Sequence, residues 1–536
     1  MSTGVHVERE EVGAANRSFS WWMGCGVALL AIGLVTRMTP LLLGRERLLR
    51  QFITEDGYLM LTVARNIALG KGMSVADGTI PTNGVQPLTT FVYAACFWLA
   101  DAERTTGVAY TQVLSIAVAS ASALGIVCLA RALMPGDRRG WELGLLAAGI
   151  WFSAPLILRH SMNGLETGLY LLAIVAVANL LVRWADAPDR AWSLGRCTAW
   201  GLVLGVAFWV RNDAVFLVTS FSVVWLTLCA GQRGVSLAGR TRELAVVGTT
   251  ALIVAAPWLA FNYTGFGSIV PISGISESFN VRLGEHAQLV PVRLAEHVLF
   301  FLPESGSVLV PTATTISCLV LLGLLSAALF WAYRRSEFPA RVLILTTTLF
   351  GTTLVLYYGF FFDAPYFLSR YFAAPTPVIA LGSAGALIFI GRKLTERGWR
   401  LAVPAASIGL VLLALNLDYR LYSRGLEHRH FQVVGWVQNN LDEQQWVGAI
   451  QTGTLGFFHD RTINLDGKVN PLALQARLRG KVLEYVFNSE IEYLVDWVGI
   501  LKWADQGQPR FGEYFETLVN DPARNLGVLR RVHARQ

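Results

Sequence analysis

The chain has 536 residues, 54% hydrophobic and only 15% charged, which is far more apolar surface than one soluble core can bury. The composition therefore defines a polytopic membrane protein. Its net charge of +7 sits in short clusters between apolar runs rather than on one face, a membrane pattern that argues against a nucleic-acid partner.

Residues 1–19 read as a polar cytoplasmic tail, followed by the apolar run SWWMGCGVALLAIGLV. No small-residue cleavage site ends that run, so it is expected to be a retained first span. Eleven runs suit membrane crossing or packing inside a bundle: residues 20–43, 108–131, 142–158, 166–183, 197–210, 214–230, 244–262, 307–333, 342–361, 371–391 and 401–417. The run PLTTFVYAACFWLA, residues 87–100, is only fourteen long and fits an interfacial or re-entrant helix better.

Basic residues test that choice. The connections at 131–140, 183–196, 231–242, 333–341 and 391–400 are all rich in arginine, and they alternate as cytoplasmic loops only if 87–100 does not cross. Residues 44–107, 159–166, 211–213, 263–306, 362–370 and 418–536 then face outward. Arg45, Arg47 and Arg50 on the outer side dissent from this pattern. The expected domains are a transmembrane region at 20–417, with an outer loop at 44–107, and a soluble α/β domain at 418–536. Overall the fold class is mainly α, with about 11 transmembrane helices. Cys25, Cys96, Cys128, Cys197, Cys229 and Cys318 lie in or beside apolar segments and suggest neither a disulfide framework nor a metal cluster.

The candidate chemistry gathers on the outward side. Glu55 and Asp56 head a helix in which Leu59, Val63 and Ile67 recur at i, i+4 spacing, a face expected on the membrane, and Gly70 and Gly72 suit its C-terminal cap. Two acids in a first turn can simply complement the helix dipole. Glu166 at the next outward turn is either an interfacial acid or part of a functional cavity. Arg211 interrupts an apolar stretch, where a charge is costly unless paired, and Asp213 is its nearest neutraliser. Arg370 beside Tyr371 is either an anchor or an anion ligand. The histidines His160, His286, His297, His428 and His430 lack a metal-ligand spacing and read as polar loop residues, with His160 of interest for its nearness to Glu166.

The stretch EDGYLMLTVARNIALGKGMSVADG, with NGLETGLYL, GVAFWVRNDAVFL, PWLAFNYTGFGSIVP, SRYFAAPTPV and NLDGKVNP after it, resembles the GT-C glycosyltransferases, among them bacterial arabinofuranosyl- and mannosyltransferases. The resemblance implies transfer of a sugar from a polyprenyl-phosphate donor to a glycan, lipid or protein acceptor. The expected setting is the outer side of the bacterial cytoplasmic membrane, with inversion. Glu55, Asp56 and Glu166 are its catalytic candidates, the acidic pair supplying a general base. Arg211 and Arg370 are the candidates for the donor phosphate, and His160, Asn163 and Arg282 for substrate contact. There is no Asp-x-Asp pattern, so no metal is assigned and a divalent cation stays open. A multi-span transporter or flippase of an envelope precursor is the competing reading.

Overall fold

Over their described residues the eleven apolar runs are mainly helical in the computed structural model, which describes residues 20–185, 191–229, 235–279, 281–301, 310–363, 365–423, 430–507 and 511–532. The tail at 1–19, His428 and parts of the loops at 183–196 and 231–242 fall outside the described residues. Among the described residues, eight helices are long and apolar enough to cross a membrane by themselves: Trp21–Leu42, Arg104–Leu133, Thr167–Trp184, Leu237–Phe266, Thr312–Arg335, Phe338–Phe360, Thr376–Glu396 and Ala402–Ser423. The expected count of 11 meets a broken pair and two short helices. Arg138–Ser153 and Pro155–Met162 bend by 66° where Pro155 lacks the amide that would continue the ladder. Leu194–Val210 and Ala214–Cys229 have 17 and 16 residues, or about 25 Å of helix each. The protein is a multi-pass membrane protein.

Helix starts follow local chemistry. Ser20, Ser193 and Ser236 each accept a backbone amide three residues on, while Asp137 accepts that of Arg139 and Glu103 those of Thr105 and Thr106. Glycines then let helices approach closely. A Cβ at Gly26 would lie 2.4 Å from the Leu145 carbonyl oxygen, and one at Gly149 2.5 Å from that of Gly26. Helix Thr312–Arg335 buries none of its residues and Ala402–Ser423 only Ser407 and Ala414, so both present apolar faces outward.

The run at 87–100 forms the short helix Pro87–Leu99. It covers the first-loop helix Glu55–Ala68, whose Leu59 and Val63 are buried in a cluster with Tyr93, Phe97 and Phe457. The expectation that this face lies on the membrane is thereby corrected: the loop's own second helix and the C-terminal domain take up the apolar surface. Gly70 and Gly72 do adopt positive φ, at 76° and 70°.

The last long helix runs on to Ser423, past the expected boundary at 418. Beyond it lies a five-stranded sheet in the order Thr462–Asn464, Val447–Ala449, Tyr493–Asp496, Leu526–Arg531, Phe515–Asp521. The first three strands are parallel and the last two antiparallel. This α/β domain sits on the first loop: Asp460 pairs with Arg65 and Arg104 at 2.9 Å each, and Arg104 Nε donates to the Phe457 carbonyl.

Candidate active site

Glu55 and Asp56 are neighbours with different surroundings. Thr54 caps their helix by accepting the Gly57 amide, while its own amide donates to the Asn163 carbonyl at 3.1 Å. Gly57 fits against that same carbonyl, only 2.0 Å from where a Cβ would stand. Fixed in this way, Glu55 turns to the C-terminal domain. Its carboxylate accepts the amides of Gly453 (2.5 Å) and Thr454 (3.0 Å) and the Thr454 hydroxyl, at the N-terminus of helix Gly453–Phe458. His430 Nδ1 stands 3.7 Å from Glu55, and its Nε2 3.4 Å from Asp496. Burial alone would lower the pKa of His430, but the two carboxylates outweigh it and raise it above the usual imidazole value. His430 is thus a buried link between domains, not the polar loop residue expected.

Asp56 instead lines a cavity of about 600 Å³ together with Glu166, Arg211, Asp213, Glu277, Arg370 and Lys468. Asp56 is 3.7 Å from Arg370 Nη1 and 3.8 Å from Lys468 Nζ. Lys468 pairs with Glu277 at 2.7 Å. Burial disfavours its ammonium, yet Asp56, Asp466 and Glu277 prevail and hold it protonated well above the ordinary lysine range. A backbone fit admits the lysine loop: a Cβ at Gly84 would stand 1.9 Å from the Lys468 carbonyl oxygen.

A second charged group lies deeper. Arg211 Nε is 3.1 Å from Asp213 and 3.7 Å from Glu166, and the Tyr358 hydroxyl donates to Asp213 at 2.9 Å. Both Arg211 Nη atoms are buried with no hydrogen-bond partner among the described residues. The Tyr371 ring connects the two groups, with Arg211 5.0 Å and Arg370 5.1 Å from its centroid and Tyr358 stacked on it at 3.9 Å. A guanidinium with two unused donors beside a cavity is suited to an oxyanion with paired oxygens.

From this charged part the cavity continues along apolar flanks. Leu204 and Phe208, Val215 and Val218, and Gly248, Ala251, Leu252 and Ala255 line it from three helices. Leu204 lies about 10 Å of helix from Arg211. Leu252 and Val215 also reach the outer surface of the bundle, at 60% and 48% exposure, so the apolar limb opens sideways. The whole shape accepts an amphiphile with an anionic head.

Among the residues expected from sequence, Asp56, Glu166, Arg211 and Arg370 come together here. Glu55 is absent from the cavity lining and holds the C-terminal domain. Asn163 accepts from Thr54 through its backbone and from Leu165 through its side chain, so it shapes the loop rather than the cavity. His160 lies beside the residue before Arg370: its Nε2 is 3.4 Å from the Ser369 hydroxyl, while His297 Nε2 donates to the Ser369 carbonyl at 2.8 Å. Since a carbonyl only accepts, that nitrogen of His297 carries the proton. Arg282 is exposed and outside the lining. Sequence reasoning missed Lys468 and Glu277; the one pointer to Lys468 was the NLDGKVNP segment. No group of three or more His, Cys, Asp or Glu among the described residues is arranged to hold a metal ion.

The fold is one already seen in solved structures. Two solved structures of ArnT from Cupriavidus metallidurans are similar to the chain across nearly its whole length. The one bound to undecaprenyl phosphate has a TM-score of 0.59 at 12% identity, covering 95% of this chain and 98% of that one. The apo state has a TM-score of 0.55 at 15% identity, covering 94% and 97%. The apo oligosaccharyltransferase of Archaeoglobus fulgidus is also similar, with a TM-score of 0.51 at 14% identity, covering 93% of this chain and 73% of that one. No protein-family model matches, and no curated protein matches by sequence.

Proposed function

We propose that the protein is an inverting glycosyltransferase that takes its sugar from a polyprenyl-phosphate donor at the outer side of the bacterial cytoplasmic membrane. The observation that carries the reading is the continuity of a charged cavity, containing a carboxylate and unpartnered arginine donors, with a sideways-opening apolar limb. One molecule that needs both parts is a lipid phosphate carrying a sugar. The ArnT structure bound to undecaprenyl phosphate adds a fold that holds such a lipid.

In this reading Asp56, not Glu55, is the base. Glu55 spends its oxygens on Gly453 and Thr454, whereas among the described residues the ion-pair partners of Asp56 are Arg370 and Lys468, both at more than 3.5 Å. Asp56 accepts the proton of the acceptor hydroxyl as that oxygen attacks the anomeric carbon from the face opposite the phosphate. The bond from the anomeric carbon to the phosphate oxygen breaks, and its electron pair stays on the phosphate. Arg211, Arg370 and Lys468 meet the charge that develops there, in a site where fixed donors need not reorganise. Glu166 and Asp213 orient Arg211. The acceptor is an envelope glycan, lipid or protein, the N-terminus is cytoplasmic and the C-terminal domain outside.

The test is mass spectrometry of envelope glycans and glycolipids from a deletion strain, complemented with wild type, Asp56→Asn or Glu55→Gln. We expect one missing sugar and an accumulated polyprenyl-phosphate sugar in the deletion. Wild type should restore the sugar, Glu55→Gln restore it in part, and Asp56→Asn fail despite normal membrane insertion. Full restoration by Asp56→Asn would remove the proposed base, and an unchanged glycoconjugate profile in the deletion would favour transport of a precursor instead.

A further inference from the structure

The chain contains a second cavity, of about 500 Å³, that the proposed chemistry does not use. It lies between the first loop (Lys71, Gly72, Met73, Ser74, Gly78 and Pro81), helix Pro87–Leu99 through Phe91, and the loop-side ends of helices Leu194–Val210 and Leu237–Phe266. The same helix pair therefore forms a wall of both cavities: Leu204, Phe208, Ala251 and Ala255 on one face, Trp209, Pro257, Trp258 and Phe261 on the other. Between them runs the segment 81–86, with Pro81 on the second cavity and Gly84, Val85 and Gln86 on the first. Asn83 fastens this partition by donating to the Asn262 side chain at 3.0 Å and accepting the Ile272 amide at 3.1 Å.

We infer that this second cavity binds carbohydrate, and that it holds a sugar unit of the acceptor while the reacting hydroxyl lies across the partition at Asp56. The assignment as a carbohydrate site stands on its own observations; its use for the acceptor rests on the proposed glycosyl transfer.

The lining supplies what a pyranose or furanose ring needs. Trp209 and Trp258 face each other with centroids 6.2 Å apart and planes at 45°, and Phe261 continues the aromatic surface, 5.5 Å from Trp258. Phe91 contributes from the opposite side, half its ring being accessible. Aromatic faces attract the weakly positive C–H edges of a sugar through their quadrupole. Trp258 is only 2% exposed, and its Nε1–H has no hydrogen-bond partner among the described residues. A buried indole donor without a partner costs free energy, and a turn of the Trp258 ring toward the cavity would let a ligand oxygen meet it.

Charge decides against an anionic headgroup. Lys71 is the one charged residue among those lining the cavity, and its ammonium is committed to Asp77 at 2.5 Å, with Arg461 a further 3.9 Å from that carboxylate. A lysine already neutralised offers hydrogen bonds to hydroxyls but little net attraction to a phosphate. The volume is enough for one or two sugar rings, at the low end of ordinary small-molecule sites.

Saturation-transfer difference NMR on the full-length protein in phosphatidylcholine nanodiscs tests this, with methyl glycosides and disaccharides of common neutral hexoses and pentoses as probes. At least one probe should receive saturation. Its affinity should fall about fivefold in Trp258→Phe, which keeps the packing and removes the donor. Phe91→Ala, a change at a half-exposed ring, should weaken it by a similar factor. Absence of binding by every probe, or wild-type binding in both Trp258→Phe and Phe91→Ala, overturns the assignment. So does displacement of the bound glycoside when phosphatidylglycerol replaces part of the phosphatidylcholine, since the cavity would then prefer an anionic lipid. Binding that depends on Trp258, together with an unchanged envelope in the deletion strain, would retain the carbohydrate site and sink the glycosyl-transfer reading alone.

Discussion

Two buried arginines of this protein, one near each end of the bundle, each keep a guanidinium nitrogen without a hydrogen-bond partner among the described residues but differ in how their Nη groups and carboxylate neighbours are engaged. Arg240, near the start of helix Leu237–Phe266, places Nη1 3.1 and 2.9 Å from the two carboxylate oxygens of Glu243. That carboxylate also accepts the Trp192 amide at 2.6 Å and the Trp225 indole at 2.9 Å, inside a cluster of tryptophans. Arg211, at the other end, has carboxylates at 3.1 and 3.7 Å and no partner for either Nη among the described residues. Both ions cost desolvation. In the first case the neighbouring carboxylate is fully engaged and the arrangement is a fastening; in the second, both Nη donors are left without a hydrogen-bond partner among the described residues, as the proposed phosphate site requires.

This contrast can be broken by substituting each arginine in turn. The largest expected effect is on activity: Arg211→Gln should lower turnover of a polyprenyl-phosphate sugar about 10²- to 10³-fold in proteoliposomes. Retention of more than a tenth of wild-type turnover would mean that Arg211 is a fastening as well. Arg240→Gln should do the opposite, removing about 3 to 5 kcal/mol of stability, read as a drop in thermal unfolding temperature in detergent, with turnover per folded molecule unchanged.

Smaller effects sharpen the same distinction in the first loop. Glu55→Gln removes a charge from acceptor bonds at the Gly453 helix and should cost about 1.5 to 3 kcal/mol, visible as faster protease cleavage between the membrane region and the C-terminal domain. Asp56→Asn should leave that cleavage rate unaltered. The smallest effect is on pH. The pKa of His430 is raised on folding, so its contribution to stability is complete below about pH 6.5 and is lost as pH rises through the higher folded value. Hydrogen exchange in helix Gly453–Phe458 should therefore accelerate over that rise, and His430→Gln should flatten the dependence.

The features legible in the sequence were those where a residue violates its surroundings. Glu166 and Arg211 stand out because charges are costly in apolar stretches. Lys468 and Glu277 gave no such signal, since a lysine in a segment of soluble composition is ordinary until a fold carries it into a cavity. Nor could spacing separate Glu55 from Asp56. The amides that claim Glu55 belong to Gly453 and Thr454, almost four hundred positions later in the chain. The membrane-facing expectation for Leu59 and Val63 failed for a related reason: periodicity reveals an apolar face but not what covers it.

The sideways opening between Val215 and Leu252 has a kinetic consequence. A substrate arriving through the flank of the bundle diffuses in two dimensions and never dissolves in water, so its effective concentration is a mole fraction in the leaflet. Diluting the proteoliposomes leaves that quantity fixed, while adding inert phospholipid at constant protein and substrate lowers it. On the proposed glycosyl transfer, rates should accordingly follow surface density rather than molarity, and spent carrier returning to the same leaflet should compete with fresh donor in proportion to area.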